Sequence, residues 1–264
     1  MNKLQKIKKI LKKMGSVLIA YSGGVDSTLL LKLARDVLGG KVLTVTANSP
    51  TYPKEELIFS KIMARKLGVK QLVIKTCELK NRQFTANKSN RCYFCKKELF
   101  RKLKEIAKEK KIRFVIDATN LSDRGDFRPG SLAKKELGIR SPLEEAGFTK
   151  TDIRKISKRL KLSTWNKPAL ACLASRIAYG EKISMPLLNK INQAESFLKR
   201  QGFTQVRLRH YNGLCRLEVM PKNIPLAVQK RGLIIKKMKQ LGYNYVTLDL
   251  EGYRTGSMNE VLQK

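Results

Sequence analysis

A chain of 264 residues with 42% hydrophobic content is long enough for two modest domains and a sizeable core. It carries no apolar run of about 18 residues or more, which argues against a membrane-spanning helix, and the segment Met1–Ile7 lacks the apolar stretch of a secretory signal, so the expected location is the cytoplasm. Lys and Arg number 56 against 21 Asp and Glu, for a net charge of +35. That balance suits polyanionic or phosphate-rich partners, but the charge is scattered over many helices without interleaved aromatic residues, which ranks a nucleic acid behind a phosphate-bearing small substrate.

In chain order, Leu4, Ile7, Leu11 and Met14 form one stripe of a helix over residues 3–14. The apolar run Ser16–Tyr21 reads as a buried parallel strand. It meets the turn Ser22-Gly23-Gly24-Val25-Asp26-Ser27, and Thr28–Ala34 then reads as a helix. Val42–Thr46 is a second strand, Pro53 opens a helix that Gly68 ends, and Gln71–Ile74 is a third strand. A polar loop leads to a long helix over about 93–110 and a fourth strand at Arg113–Asp117. This alternation predicts an α/β fold built on a doubly wound parallel sheet, with ligands at the carboxyl ends of its strands.

A helix over 149–160, capped by Thr149 or Thr151, precedes a break at Leu162–Pro168. The domain boundary is expected there, with residues 1–165 binding the nucleotide and residues 166–264 forming a smaller C-terminal α+β domain. In that second domain a helix covers 185–200, with Leu187, Ile191, Ala194 and Leu198 on its apolar stripe. Strands at 205–209 and 215–219, one helix over 224–241 and a strand at 245–248 complete it.

The turn at Ser22–Ser27 carries the strongest chemistry. Glycines between a strand and a helix expose backbone N–H groups at a positive helix end and so cradle a phosphate. Ser22 and Ser27 add hydroxyls, and Asp26 is placed to hold a magnesium ion riding on the phosphates. At the same sheet edge, Asp117-Ala118-Thr119-Asn120 runs on through Asp123 to Arg128. Asp117, Asn120, Asp123 and Arg128 are therefore candidate nucleotide contacts.

Five cysteines are an odd set, and a disulfide framework is not expected. Cys92 and Cys95 form a C-x-x-C, and Cys172 lies in Ala171-Cys172-Leu173-Ala174-Ser175-Arg176. No second C-x-x-C completes a zinc site, and the single histidine is His210. Three thiols with basic neighbours Arg91, Lys96 and Arg176 suit three irons of a [4Fe–4S] cluster whose fourth iron is open to sulfide. Cys77 and Cys215 are expected to pack. Arg207 and Arg209 share one face of a strand and either grip a phosphate or pair with Glu218. Glu195 falls on the polar side of its helix, where a solvated position is expected.

The hexapeptide Ser22–Ser27 resembles the PP-loop of the ATP pyrophosphatase superfamily and lacks the Walker A pattern. With Asn90–Lys96, Asp117–Asn120, Asp126-x-Arg128-Pro129-Gly130, Lys167–Arg176 and Val206–His210 in one order, nearly the whole chain resembles the LarE-type ATP-dependent sulfur transferases. The resemblance implies adenylation by ATP and Mg2+ of a carboxylate on a pyridinium mononucleotide, pyrophosphate release, and conversion to a thiocarboxylate. It implies roles for Cys172, Ser175 and Arg176 beside the sulfur donor, a sulfide or persulfide, and for Arg207 and Arg209 at the mononucleotide phosphate. It also implies a homo-oligomer, a hexamer in the family. In one version of that family a lone cysteine at the Cys172 position gives up its own sulfur. The C-x-x-C of this chain leads us to expect a cluster on Cys92, Cys95 and Cys172 instead. The competing readings are a tRNA thiolase, an amide-forming synthetase of the NAD or GMP synthetase type, and a nucleotide-binding module without catalysis.

Overall fold

The computed structural model describes residues 1–125, 129–168 and 171–262. The chain divides into two compact units, one of residues 1–78 and 92–170, the other of residues 79–91 and 171–264. The elements run α1 Lys3–Met14, β1 Val17–Ala20, α2 Val25–Leu38, β2 Val42–Asn48, α3 Lys54–Lys66, β3 Lys70–Lys75, α4 Arg82–Thr85, α5 Arg91–Glu109 and β4 Phe114–Ile116. They continue with α6 Gly130–Glu136, α7 Pro142–Glu145, α8 Lys150–Arg159, α9 Met185–Arg200, β5 Val206–Tyr211, β6 Leu214–Val219, α10 Ile224–Gln229, α11 Arg231–Gln240 and β7 Tyr245–Leu248.

The first unit is built on a parallel sheet of order β3-β2-β1-β4. Side chains alternate across it, as the two-residue period of a strand requires. Val17, Ile19, Val42 and Ile116 join a core with α1, α2 and Ile153 of α8, while Leu18, Leu43, Val45 and Val115 pack with Phe100 and Leu103 of α5. Helices therefore cover both faces, as the α/β expectation required. Local signals agree with the packing. Asn2 and Gln5 form a capping box on α1, Thr149 and Asp152 form one on α8, and Gly68 takes φ +64° just past α3. β4 lies on the far side of β1 from β2 and β3, so the strand order reverses between β1 and β4. Ligand crevices of doubly wound sheets lie at such a switch point.

In the second unit β5 pairs antiparallel with β6, and β6 parallel with β7. The one helix expected over 224–241 is two. Lys230 adopts φ −88°, ψ 12° between α10 and α11, and its Nζ donates to the Gln201 carbonyl at 2.8 Å. Gly232, a weak helix former, follows the break. The short helices α4, α6 and α7 lack the length for a periodic signal in sequence. Among the described residues no helix is long and apolar enough to cross a membrane.

Candidate functional site

The PP-loop leaves β1 at its carboxyl end. Gly23 takes φ +72°, and a Cβ there would stand 3.0 Å from the Cβ and 3.1 Å from the Cα of Ser60 on α3. Both the conformation and the close pass of α3 therefore require glycine. Gly24 is the N-cap of α2, and no described side chain caps the first-turn N–H groups, which leaves them for an anion. The hydroxyls are tied into the loop. Ser22 Oγ and Ser27 Oγ stand 3.1 Å apart, Ser27 Oγ donates to the Gly24 carbonyl at 3.2 Å, and Tyr21 Oη lies 3.3 Å from Thr28 Oγ1. Burial raises the pKa of Tyr21 and keeps this underpinning neutral.

Asp26 sits in the first turn of α2. Its Oδ2 accepts from Nζ of Lys150, at the start of α8, while its Oδ1 is buried and has no described partner. A buried carboxylate oxygen without a donor is costly, and its chemistry fits a magnesium ion with Asp26 as protein ligand. Lys167 also reaches the loop. Its Nζ is 2.7 Å from Glu56 Oε2, 3.4 Å from the Gly23 carbonyl and 3.7 Å from the centre of the Phe59 ring. Neither lysine is marked in the sequence as a partner of the loop. Lys167 stands inside a quoted motif, whereas Lys150 carries no signal beyond following a helix cap.

At the end of β4 the predicted nucleotide contacts Asp117, Asn120 and Asp123 are engaged within the turn itself. Asp117 accepts from Thr119 N at 3.2 Å, from Thr119 Oγ1 at 2.7 Å and from Ser141 Oγ at 2.5 Å. Asn120 is buried. Its N and Nδ2 donate to Asp123 Oδ2 at 3.0 and 3.1 Å, and its Oδ1 accepts from Ser122 N at 3.0 Å. These side chains shape the turn beside the switch point. Ser122 Oγ then accepts from Lys150 N at 3.1 Å, so the turn also helps place the lysine that reaches Asp26. Arg128 lies outside the described residues. A cavity of about 310 Å³ lined by Ser16, Lys41, Lys70 and Lys110 opens at the amino ends of the strands, the opposite edge from this chemistry.

Cys92 and Cys95 stand within the first two turns of α5. Cys92 is exposed, and the half-buried Cys95 donates to Glu78 Oε1 at 3.8 Å. Glu78 is buried and also accepts from Thr76 Oγ1 at 3.0 Å. The conformation of this turn explains Gly130. A Cβ there would meet Lys96 Cγ at 2.9 Å and the Cys92 carbonyl at 3.4 Å. Cys77 does not pack as expected. It is exposed just past β3, where its N–H donates to Glu98 at 3.0 Å. Cys215 is buried, and burial pushes its thiol up to about 12. Among the described residues no group of three or more His, Cys, Asp or Glu side chains could hold a metal ion. Cys92 and Cys95 belong to the first unit and Cys172 to the second.

In the second unit Cys172 is half-buried and caps the 3₁₀ turn Leu173–Arg176. Ser175 Oγ donates to the Cys172 carbonyl at 2.8 Å. Arg176 is 1% exposed. Its Nη1 donates to the carbonyls of Ala171 at 2.8 Å and Cys172 at 3.1 Å, and its Nε and Nη2 form a two-pronged pair with Glu195 at 2.8 and 3.1 Å. Glu195 is thus buried at the turn and not solvated, and it also accepts from Leu208 N at 3.1 Å. Burial opposes both charges, yet the surrounding charges and hydrogen bonds together more than offset it. Arg176 is held above the ordinary arginine range and Glu195 below the carboxylate range.

Arg209 and Glu218 make a second buried fork, 2.9 and 2.7 Å, joined by Ser257, while Arg209 Nη1 holds the Ser175 carbonyl at 3.0 Å. Arg207, on the same face of β5, donates to its neighbour's carbonyl at 2.9 Å and lies 5.2 Å from the Tyr253 ring centre. Burial, and then the Arg176 charge, lower its pKa. Among the described residues Arg176, Arg207 and Arg209 thus meet Glu195 and Glu218 in a buried set with three arginines to two glutamates. Such a place favours an anion.

A glycine turn at a helix N-terminus, set at the switch point of a parallel sheet with a carboxylate beside it, is the arrangement of a phosphate-binding α/β enzyme. Residues 7–88 match the asparagine synthase family. The chain is 43% identical over 265 residues to an uncharacterized protein of Synechocystis sp., covering 100% of this chain and 99% of that protein. It is 36% identical over 255 residues to the pyridinium-3,5-bisthiocarboxylic acid mononucleotide synthase of Lactiplantibacillus plantarum, covering 96% and 92%. It is 33% identical over 258 residues to an uncharacterized protein of Methanocaldococcus jannaschii, covering 97% and 98%. The chain belongs to the LarE-type ATP-dependent sulfur transferases of the PP-loop superfamily and is an ATP-using enzyme.

Proposed function

We propose that this chain uses ATP to adenylate a carboxylate of a pyridinium mononucleotide and then places sulfur on the activated carbon, giving a thiocarboxylate. The observation that carries the reading is full-length similarity to the Lactiplantibacillus plantarum synthase, together with the uncapped first turn of α2 behind Gly23 and Gly24. In the first step a carboxylate oxygen bonds to the α-phosphorus, the bond to the β-phosphate breaks, and its electron pair leaves on pyrophosphate. Backbone N–H groups of the loop and the hydroxyls of Ser22 and Ser27 bind that pyrophosphate. Asp26 would hold magnesium, which supplies charge neutralisation. Asp117, Asn120 and Asp123 shape the turn on the nucleotide side, and Arg128 is assigned to the nucleotide by its motif alone. In the second unit Arg207 and Arg209 serve the substrate phosphate, where among the described residues three buried arginines meet two glutamates, and Ser175 and Arg176 fix the backbone that carries Cys172.

In the second step a sulfur nucleophile bonds to the acyl carbon and AMP departs with the C–O electron pair. Cys92 and Cys95 of the first unit and Cys172 of the second would hold a [4Fe–4S] cluster as sulfide carrier, and no step is routed through it. Mass measurement of the chain after turnover with ATP and the mononucleotide tests the whole reading. Unchanged mass with several sulfurs transferred per chain supports a carried sulfide, and loss of one hydrogen sulfide at Cys172 assigns the sulfur to that residue. Absence of carboxylate-dependent ATP–pyrophosphate exchange would falsify the adenylation itself.

A further inference from the structure

We propose that Lys150 is a phosphate-binding residue of the ATP site, an ammonium kept at the PP-loop by Asp26 to neutralise the departing pyrophosphate. The inference rests on the adenylation reading above and deepens it. Lys150 is brought to the loop by several fixed points. The capping box of Thr149 and Asp152 starts α8, Lys3 Nζ holds Asp152 at 2.6 Å, and Lys150 N donates to Ser122 Oγ at 3.1 Å. From there its side chain reaches across 124 positions of sequence to Asp26 Oδ2.

Two observations set this contact apart from an ordinary ion pair. Asp26 Oδ1 is buried without a described partner, so the carboxylate is only half satisfied by the lysine. And an ammonium has three donors, of which Asp26 takes one among the described residues. Lys167 is the contrast at the same loop, since Glu56, the Gly23 carbonyl and the Phe59 ring occupy it. Lys167 braces the loop, whereas Lys150 keeps donors to give. A metal ion on Oδ1 and the ammonium on Oδ2 would set two cations at one carboxylate. The electron pair released when the bond to the β-phosphate breaks ends on pyrophosphate, and cations fixed beside it lower that barrier.

The test is equilibrium binding of magnesium pyrophosphate, MgATP and AMP to the full chain and to Lys150→Met and Lys150→Arg. Lys150→Met is expected to weaken pyrophosphate binding about ten- to hundredfold, the loss of one charge-assisted contact. AMP affinity should stay within about twofold of the parent value, and Lys150→Arg should retain most of the pyrophosphate affinity. Undiminished pyrophosphate binding by Lys150→Met overturns the proposal, whatever happens to thermal stability. If the parent chain binds neither MgATP nor pyrophosphate, the ATP reading falls and takes this one with it. Reductive methylation of the parent chain covers a variant that fails to fold. Magnesium pyrophosphate, and not AMP, should protect Lys150 several-fold, and equal labelling with and without pyrophosphate sinks the idea.

Discussion

The PP-loop and the buried arginine–glutamate set of the second unit handle charge in opposite ways. The loop is made of backbone. Its fixed positive end comes from aligned peptide groups, its glycines remove obstruction, and its one carboxylate is half satisfied. The second set is made of side chains taken out of water, in which Glu195 and Glu218 each answer an arginine through two oxygens. A backbone site costs little to keep empty. A buried side-chain site must be satisfied at all times, so its members also hold the fold. The comparison teaches that losses at the loop should appear in binding, and losses in the arginine set should appear first in stability.

The strongest test of that division is Glu218→Ala. It strands Arg209 and takes an acceptor from Arg216 and Ser257, and breaking a buried pair of this kind costs about 3–5 kcal/mol. Urea unfolding should show the loss, and Arg209→Met in the same chain should recover part of it. A loss below about 1 kcal/mol would break the comparison.

Gly23→Ala comes next. Positive φ and the Ser60 contact should cost about 1–3 kcal/mol, while MgATP affinity falls at least about tenfold. Gly24→Ala sharpens the point. Gly24 has ordinary extended φ and its nearest neighbour, Ser22 Oγ, would lie 3.4 Å from the new Cβ, so stability should change little. Equal destabilisation by the two would remove the special status of Gly23.

The smallest effect concerns Asp152, which the Lys3 ammonium, and then the Thr149 N–H, hold down to about 2 from an ordinary 3.8. A depressed carboxyl stabilises the fold above its unfolded pKa, and that contribution is lost as pH falls from about 3.8 through about 2. Because the pair is partly exposed, Asp152→Asn should cost about 1 kcal/mol at pH 6, less at pH 2 and almost nothing at about pH 1, read by denaturant midpoints. A difference that does not shrink between pH 6 and about pH 1 would assign the effect to shape and not to charge.

Much of the fold was legible because its signals are local. An apolar stripe gave α1, the Thr149 cap gave α8, and the glycine turn gave the phosphate site from six consecutive residues. What stayed hidden depends on partners far along the chain. Glu195 follows Ala194 on α9 and reads as solvated by helical period, but the turn at Arg176 covers that side as well. Lys150 acquires a role only through Asp26. Cys77 looked apolar enough to pack, yet it follows an edge strand and nothing in its own neighbourhood of sequence shows that exposure. The carboxylates after β4 were readable as lying past a strand end, but sequence could not show that Asp117 binds Thr119 and Ser141 while Asp123 binds Asn120.

The excursion between β3 and α5 has a consequence for how this protein can be cut. Residues 79–91 count with the second unit, where the Asn87 side chain donates to the Ala178 carbonyl at 2.7 Å, and the Thr85 and Asn87 carbonyls accept from Ile183 and Gly180. A gene fragment ending near residue 170 would keep the whole parallel sheet together with an orphaned peptide. A fragment starting at residue 171 would lack a strut of its own unit. Separable halves require a graft that moves residues 79–91 to the second piece and closes the gap between Glu78 and Cys92.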